Sequence, residues 1–464
     1  MKIQIKTLTI FLCSLTITST GLHAGKPDTP GQIVKTSTHQ FSMKANINRH
    51  GRKIYSETEF IVRFKNNVSQ VAGTQMVTQY AGQTKKTFGK NNRYKLITLK
   101  PGQSLDQAMA RFKSDPNVAY VSRDYYVYPA ATPTAGGFYT TNQWNLNNTG
   151  QTIFTVPGDI GEDINAESAW DIVNNCSSVT VAVLDTGIDY GHPDLAANMI
   201  TTNMADFIDD DNDPRPGTGS GATETHGTHV TGIIAAIHND GAGIAGVCWG
   251  VKVLPIRVLT TAGGSSTDLI SGIDHAIAQG ANVINMSLVL GGDIQPVRDA
   301  LERARAAGIV VVVAAGNEGI NVDTAPAMSF TYPCRNTHAN IICVAAVNNT
   351  FGLADFGGGE GSNFGTTSVD VAAPGRYIYS TTGTTSYSWF SGTSQATPHV
   401  AGLAAMLLTY NPTFTYTDIV NAIRNGGTNV TLLNSVIASG NVINARQSLE
   451  YVNTPRGVSA VVAP

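Results

Sequence analysis

Apolar residues along the chain follow two successive patterns. In the stretch 55–128, the apolar runs EFIVRFK and YKLITLK read as strands, with a helical pattern between them. The following segment predicts a helix, then a last strand in VAYVSRDYYVY. The helix places four apolar side chains on one face: Leu105, Ala108, Met109 and Phe112. This β-α-β-α-β order predicts a small α+β unit of the ferredoxin-like, split βαβ type.

From about residue 140 the pattern changes to strands that alternate with helices. The runs VTVAVLD, VKVLPIRVL, NVINMSL, IVVVVAAG and NIICVAAV are continuously apolar. Such runs indicate strands that are buried on both faces, as in a parallel sheet covered by helices. We therefore predict an α/β domain with three layers, α/β/α. In such sheets the functional residues lie beyond the carboxyl ends of the strands.

Composition and the N-terminal sequence indicate where the protein is located. The chain has 464 residues and a formal net charge of -3, which gives no indication of nucleic-acid binding. It starts with Lys2 and Lys6, then an apolar stretch that ends at the small residue Ala24. This pattern is typical of a secretory signal peptide, and a membrane anchor is the weaker alternative. We expect a secreted protein, although a periplasmic or cell-surface location fits the same segment.

These patterns divide the chain into successive segments. The Pro/Ala/Gly-rich stretch PAATPTAGG reads as an exposed linker that is open to proteolytic cleavage. We predict a signal peptide (1–24), an N-terminal pro-region (25–54), the small α+β unit (55–128), a linker or processing region (129–139), the large domain (140–452) and a C-terminal tail (453–464).

Cysteine usage agrees with export. After removal of the signal peptide four cysteines remain, and no CxxC pair is present. An even number in an exported protein favours disulfides over metal binding. Four cysteines allow three connectivities. We favour Cys176–Cys248, because both precede predicted parallel strands, and Cys334–Cys343, which flank one loop.

Polar residues stand where the predicted strands end and where helices begin. Asp185, Ser287 and Asn317 follow buried strands, while His226 and Ser394 open helices. A doubly wound sheet gathers such ends on one edge. A serine nucleophile needs an imidazole to take its proton and a carboxylate to orient that imidazole. The amide of Asn317 and the backbone N–H of Ser394 are candidate donors to an oxyanion.

Four sequence blocks contain the candidate catalytic residues: DTGIDYGHPDL, HGTHVTG, AAGNEG and SGTSQATPHVAGLAA, in the order Asp, His, Asn, Ser. Together these blocks resemble the signatures of the subtilisin-like serine proteases. The resemblance covers residues 140 to about 450 and implies a subtilisin-like fold with a mostly parallel, seven-stranded sheet. It implies a catalytic triad of Asp185, His226 and Ser394, with Asn317 in the oxyanion hole.

The small α+β unit resembles the inhibitor-like propeptide of these enzymes, which acts as an intramolecular chaperone and inhibitor. By the same resemblance, an extended peptide pairs with backbone segments beside the cleft. The implied substrate contacts are Gly263, Gly264, Ser265, Ser287 and Leu288, together with Ala314, Ala315 and Gly316. One departure concerns the pocket wall, where SLVLGG with Val289 and Leu290 replaces the family's common SLGG. We expect a monomeric endopeptidase with broad specificity and an apolar preference.

An acidic loop, ADFIDDDNDPRPG, is a candidate calcium site. Carboxylates packed this closely are costly unless a counter-ion neutralises them, and oxygen ligands suit Ca²⁺; a solvated acidic loop is the alternative. The loop resembles the calcium loop of thermitase-like members. This gives Asp206, Asp209, Asp211 and Asp213 as candidate ligands of a structural ion. A second site of the family would use Asp194, Asn239 and Gln143.

The sequence also offers alternatives to a protease. His226 and His229 form an HxxH pair, which suggests a zinc site, but the glutamate of the zinc-binding HExxH motif is missing. His229, and likewise His399, therefore read as structural histidines. An esterase of the α/β-hydrolase type needs GxSxG and the order Ser, Asp, His, which this chain lacks. A catalytically silent relative that acts as a binding protein remains the other alternative, and nothing in the sequence favours it.

Overall fold

The computed structural model describes residues 55–88, 94–125, 138–217, 224–238, 241–326 and 329–452. The predicted signal peptide, pro-region and tail lie outside the described residues, as does most of the predicted linker. Within the described residues, no helix is long and apolar enough to span a bilayer.

The N-terminal unit is a four-stranded antiparallel sheet with two helices. The chain order is β1 (Tyr55–Phe64), α1 (Gln70–Tyr80), β2 (Gly82–Phe88), β3 (Tyr94–Leu99), α2 (Leu105–Ser114) and β4 (Val118–Tyr125). The strands lie in the order β2-β3-β1-β4. Leu105, Ala108, Met109 and Phe112 pack into its core, as predicted from their spacing.

The predicted β-α-β-α-β order of this unit missed one strand. Strand β2 has the sequence GQTKKTF and lies at the edge of the sheet. Edge strands commonly carry lysine and other polar residues, which discourage pairing with other chains. Its polar sequence therefore gives no apolar signal, and the observed order is β-α-β-β-α-β.

The larger unit is built around one nine-stranded sheet. Its strand order is β18-β19-β15-β12-β11-β10-β7-β9-β8, and all neighbouring pairs are parallel except β18 with β19. The strands are β7 (Thr180–Asp185), β8 (Ala205–Asp206), β9 (Lys252–Arg257), β10 (Val283–Met286), β11 (Val310–Ala314), β12 (Ile341–Val347), β15 (Val371–Pro374), β18 (Thr428–Asn429) and β19 (Asn441–Val442).

Helices cover both faces of this sheet. They are α3 (Phe138–Asn142), α4 (Ala166–Trp170), α5 (His226–Ala235), α6 (Ser266–Ala278), α7 (Gln295–Ala306), α8 (Thr393–Tyr410), α9 (Tyr416–Asn425) and α10 (Ala445–Tyr451). Alternate residues of β11 enter two separate cores, with Val310 and Val312 in one and Val311 and Val313 in the other. The first core includes side chains of α5, α8 and α9, and the second those of α6 and α7. The predicted three-layer architecture is confirmed.

The sheet has nine strands where the family resemblance predicted seven. Three of them, β8, β18 and β19, are only two residues long; β8 and β18 are the two edge strands, and β19 lies next to β18. Segments this short carry no recognisable apolar run. Three antiparallel pairs complete the unit: β5 (Thr152–Ile153) with β6 (Val156–Pro157), β13 (Asp355–Gly357) with β14 (Glu360–Gly361), and β16 (Ile378–Thr382) with β17 (Ser386–Phe390).

Two disulfides join elements of the larger unit. They are Cys176–Cys248, with Cα atoms 5.9 Å apart, and Cys334–Cys343, with Cα atoms 5.1 Å apart. Both favoured pairings are confirmed. The second disulfide ties the loop before β12 to that strand.

Candidate active site

A carboxylate and an imidazole meet at the carboxyl end of the central sheet. Asp185 is the last residue of β7, and His226 is the first residue of α5. His226 Nδ1 donates to Asp185 Oδ1 across 2.7 Å, and the Thr186 backbone N–H donates to the same oxygen across 2.7 Å. The Asp185 side chain is fully buried, whereas 28% of the His226 side chain is exposed. One face of the imidazole can therefore reach a reacting group.

The pKa of His226 responds to two opposing influences. Burial alone would lower the pKa of this imidazole, but the negative charge of Asp185 and the hydrogen bond to it outweigh the burial. The net effect raises the pKa of His226 above its ordinary value. Asp185 thus stabilises the protonated imidazole that forms when His226 accepts a proton.

The close approach of α5 to β7 depends on the glycine that follows His226. A Cβ atom placed on Gly227 would lie 2.3 Å from the carbonyl oxygen of Gly187 and 3.0 Å from Asp185 Cβ. Only glycine fits this contact without a shift of the backbone. The HGTH sequence therefore brings the imidazole within hydrogen-bonding distance of a carboxylate buried at a strand end.

Ser394 lies in the first turn of α8 and is bonded to the strand end after β10. Its Oγ donates to the Ser287 carbonyl across 3.1 Å, and Ser287 Oγ donates to the Ser394 carbonyl across 2.9 Å. Asn285 Nδ2 donates to Ser287 Oγ across 3.1 Å. These bonds hold the start of α8 against the sheet, and the hydroxyl of Ser394 is directed to Ser287 in this conformation.

The Asn317 amide is oriented by the residue before Ser394. Its Oδ1 accepts from the Thr393 backbone N–H (2.9 Å) and from Thr393 Oγ1 (2.8 Å). With the oxygen so engaged, the Nδ2 group is the end of the amide that can donate to another molecule. Gly316, at φ +103°, turns the chain between β11 and Asn317.

A cavity of about 510 Å³ opens beside Ser394 and Asn317, and both residues line it. Seven of the predicted substrate contacts also line it: Gly263, Gly264, Ser265, Ser287, Leu288, Ala314 and Gly316. Its remaining walls are largely apolar, with Leu259, Leu269, Val289, Leu290, Ile294 and Phe330. The predicted segments around Gly263, Ser287, Ala314 and Ser394 thus meet at one cleft.

Ala315 differs from the other predicted substrate contacts, because its side chain does not line the cavity; a contact through its backbone stays a prediction. Ala315 is fully buried in the core that includes α6 and α7, and it does not line the cavity. Side chains alternate between the faces of a strand, so Ala314 and Ala315 point to opposite sides. Phe330 and Glu318 line the cavity but were missed; Glu318 directly follows Asn317, whereas Phe330 belongs to a loop without a recognisable pattern.

Comparison with known proteins decides the family. The sequence matches the subtilase family, peptidase S8, over residues 177–440, which is more than half of the chain. The chain belongs to the subtilase family. The fervidolysin N-terminal prodomain matches residues 42–123, so this subtilase combines a serine endopeptidase domain with an N-terminal prodomain.

Individual relatives agree with this assignment. A thermophilic serine proteinase of Bacillus sp. (strain AK1) is 35% identical over 359 residues, covering 77% of this chain and 79% of the relative. Thermitase of Thermoactinomyces vulgaris is 39% identical over 293 residues, covering 62% of this chain and 95% of thermitase. Among solved structures, that of a protease from Pseudoalteromonas arctica PAMC 21717 is similar, with a TM-score of 0.55 and 31% identity, over 69% of this chain and 99% of that chain.

The other histidines singled out in this subtilase have internal partners. His229 Nε2 donates towards the carbonyls of Ile378 (3.1 Å) and Ser388 (3.2 Å), and burial lowers the pKa of His229 to about 3. His399 Nδ1 contacts the Gln395 carbonyl at 2.8 Å, and burial lowers the pKa of His399 to about 4. Both are buried and neutral near pH 7, as the structural reading of each predicted.

Two arginines form ion pairs with carboxylates of the acidic loop in this subtilase. Arg257 Nη1 donates to Asp206 across 2.9 Å and to Asp209 across 2.5 Å, and Arg257 Nη2 donates to Glu224 across 3.3 Å. Arg215 binds Asp213, whose pKa is lowered to about 2, mainly by this hydrogen bond. In the described ranges, no group of three or more His, Cys, Asp or Glu residues is arranged to hold a metal ion.

The second set of predicted calcium ligands is bonded within the protein. Asp194 Oδ2 accepts from the Ile244 N–H (3.0 Å) and from the Tyr387 hydroxyl (3.3 Å). The Gln143 amide pairs with both backbone groups of Ala245 at 2.8 Å. Asn239 lies outside the described residues. Asp194 and Gln143 thus contact consecutive residues of one loop.

Proposed function

We propose that this subtilase is a secreted endopeptidase, made as a self-processing zymogen, that cleaves proteins through an acyl-enzyme. The observation that carries the proposal is the 2.7 Å contact between buried Asp185 and partly exposed His226. This pair lies at the carboxyl end of the sheet, and Ser394 and Asn317 line one cleft. The matched subtilase domain and prodomain support the same activity.

The proposed reaction begins with attack by Ser394 Oγ on the carbonyl carbon of the scissile bond. After rotation of the hydroxyl away from Ser287, His226 Nε2 takes its proton, while Asp185 holds Nδ1–H and stabilises the imidazolium. Negative charge develops on the carbonyl oxygen, where Asn317 Nδ2 and the Ser394 N–H donate. His226 then gives the proton to the leaving amine, and the C–N bond breaks to leave an ester on Ser394.

Water completes the turnover. It attacks the ester carbonyl, His226 takes one of its protons, and the same donors stabilise the second oxyanion. Collapse of this intermediate breaks the bond to Ser394 Oγ, which recovers its proton from His226. In the proposed binding mode, the substrate backbone lies extended along Gly263–Ser265 and Ser287–Leu288, as an added strand.

The proposed zymogen consists of the signal peptide, the prodomain and the protease. We assign 1–24 to export, 25–128 to the propeptide that assists folding and blocks the cleft, 129–139 to processing and 140–452 to the mature enzyme. The fervidolysin-type match over residues 42–123 supports the propeptide. An extracellular protease of Xanthomonas campestris pv. campestris, 33% identical over 413 residues, supports secretion.

We propose a structural calcium ion at the acidic loop. Asp189, Asp209, Asp211, Asp213 and Glu224 line one cavity of about 610 Å³, and their oxygen atoms suit this cation. The side chains as arranged do not form a metal cage, since Arg257 and Arg215 already neutralise part of the charge. Calcium must therefore compete with arginine.

Removal of the metal tests this site. We expect EDTA to lower the melting temperature and calcium to restore it. An unchanged melting temperature would leave arginine as the counter-ion.

The activity is tested by expression of the full precursor and of its Ser394→Ala variant. We expect the unaltered chain to be processed near residues 129–139 and to digest casein, with inhibition by a serine-directed reagent. Removal of the nucleophile should reduce turnover roughly a millionfold and leave the precursor intact. The exposed serine Ser178 supplies a control, since Ser178→Ala should change neither result. Continued self-processing by purified Ser394→Ala would exclude the proposal.

A further inference from the structure

The loop that carries Asn317 is bonded through its backbone to a segment that begins in β14. The Gly361 N–H donates to the Asn317 carbonyl across 2.9 Å, and the Gly319 N–H donates to the Gly361 carbonyl across 2.9 Å. Further along, the Asn363 N–H donates to the Gly316 carbonyl across 2.9 Å. These bonds reach Asn317 itself and a residue on either side of it.

The side chain of Asn363 adds three hydrogen bonds to the same loop, and it is fully buried. Its Nδ2 donates to the Ala315 carbonyl across 3.0 Å and to Glu318 Oε2 across 2.7 Å. Its Oδ1 accepts from the Ile320 N–H across 2.9 Å. The amide of an asparagine has two donor hydrogens, and both are used here. One side chain therefore holds the loop before and after Asn317.

Glu318 connects Asn363 to the backbone of Asn317. The Glu318 Oε2 atom that accepts from Asn363 also accepts from the Asn317 N–H across 3.0 Å. Asn363 also packs closely against the turn before Asn317, because a Cβ atom placed on Gly316 would overlap Asn363 Nδ2. The Asn317 side chain is held separately, since its Oδ1 accepts from Thr393. Thr393 thus orients the Asn317 amide, and Asn363 fixes the backbone that carries it.

We propose that Asn363 is a positioning residue, which holds the loop so that Asn317 Nδ2 meets the substrate oxygen that becomes negatively charged. A donor stabilises the transition state only where this charge develops, and a displacement of about 1 Å can cost roughly 100-fold in rate. Asn363 does not line the cleft, so its effect passes through Asn317. This inference rests on the proposed function, because it assumes that Asn317 binds the oxyanion.

Asn363→Asp tests the proposal in the matured enzyme. It keeps the shape of the side chain and the acceptor for the Ile320 N–H, but it removes both donor hydrogens and places a second carboxylate beside Glu318. With a peptide anilide, kcat should fall roughly 10- to 100-fold while KM changes less than about threefold, since the lost stabilisation belongs to the transition state. Titration with a serine-directed reagent gives the concentration of active enzyme. A raised KM with unchanged kcat would overturn the proposal.

A double-mutant cycle with Asn317→Ala separates positioning from a general loss of structure. If Asn363 acts through Asn317, Asn363→Asp should lower kcat by less than about twofold once Asn317 has been replaced. Precursors that do not process themselves are matured by immobilised unaltered enzyme. The same loss in both backgrounds would overturn the proposal and leave the proposed function intact. An unchanged kcat in Asn317→Ala would instead overturn the proposed oxyanion hole.

Asn340 provides a matched control at the other end of β11. It is also fully buried, and its Nδ2 donates across 2.9 Å to the carbonyl of Ile309, just before β11, whereas Asn363 bonds Ala315, just after it. Asn340→Asp should lower the melting temperature but keep kcat within about twofold. An equal loss of kcat in the two variants would contradict a specific role for Asn363.

A second variant, Asn363→Ala, keeps the proposal testable if Asn363→Asp does not fold. It removes the same three side-chain bonds without adding a charge, so it leaves Glu318 free to shift together with the Asn317 backbone. We expect kcat to fall roughly 5- to 20-fold, again with little change in KM. An unchanged kcat in Asn363→Ala would overturn the proposal.

Discussion

Two aspartates, Asp185 and Asp206, end the strands on either side of β9 and have different partners. In the strand register Arg257, the last residue of β9, is paired with both Asp185 of β7 and Asp206 of β8. Arg257 forms an ion pair with Asp206, and Asp185 instead bonds His226. The difference lies in the partner: a guanidinium stays charged at all working pH values, whereas an imidazole gains and loses a proton near neutrality.

Exposure separates the two pairs as clearly as chemistry. The side chains of Arg257 and Asp206 are 4% and 1% exposed, so their charges are hidden from solvent and substrate. His226 is 28% exposed, while its carboxylate is fully buried. The buried pair of Arg257 and Asp206 contributes to the structure, because neither side chain can reach a substrate. An imidazole with one exposed side and one anchored nitrogen can transfer protons.

The largest expected effect comes from Asp185→Asn. An asparagine of similar shape removes the charge that stabilises imidazolium and favours the wrong tautomer of His226, so kcat should fall by about 10⁴-fold. Stopped assays with a peptide anilide measure the loss. Asp206→Asn serves as the paired variant and should retain kcat within a few fold at a temperature where it is folded. Equal losses in both variants would contradict the assignment of separate roles.

The complementary change is Arg257→Met, which should reduce stability and spare the chemistry. It leaves the carboxylates of Asp206 and Glu224, both 4% exposed or less at the side chain, without their buried cation. Such a loss typically costs about 3–5 kcal/mol of unfolding free energy. Denaturant unfolding of matched Ser394→Ala proteins measures the change without self-digestion.

Arg303→Met is the control for this variant, because the Arg303–Asp274 pair is about half exposed and should contribute little. A small effect of Arg257→Met, equal to that of the control, would mean that another cation neutralises the loop. Repeating both measurements with calcium and with EDTA would show whether that cation is calcium.

These pairs also show what the sequence can predict. Asp185 and His226 were foreseeable, because a charge directly after a buried strand and a histidine at a helix start meet at the same sheet edge. The partner of Asp206 was not. Arg257 ends the apolar run VKVLPIRVL, where the pattern predicts a strand and gives no indication of an ion pair. The acidic loop therefore suggested a metal, while the fold supplied an arginine from a neighbouring strand.

The cleft shows the same limit on what the sequence can predict. The segments around Gly263, Ser287 and Ala314 could be named in advance, because each adjoins a recognisable strand or helix start. Phe330 lies in a loop whose position is fixed by the Leu290–Tyr332 bridge, and pairing of this kind between distant segments leaves no local pattern. The strand count failed for the related reason that two-residue strands exist only through their neighbours.

The smallest expected effect is a shift of the acidic limb of the pH–activity profile. His226 must be neutral to accept the Ser394 proton, and Asp185 raises the pKa of His226. Activity should therefore be half lost on acidification at a pH above about 6.5, the value of an unperturbed histidine. The profile of kcat/KM reports this pKa in the free enzyme. His229 and His399 stay neutral over this range, since burial lowers their pKa values to about 3 and about 4.

In Asp185→Asn, burial of His226 acts without the opposing charge, so the residual activity should persist to lower pH. An unmoved midpoint in that variant would show that Asp185 does not set the pKa of the group that limits the rate.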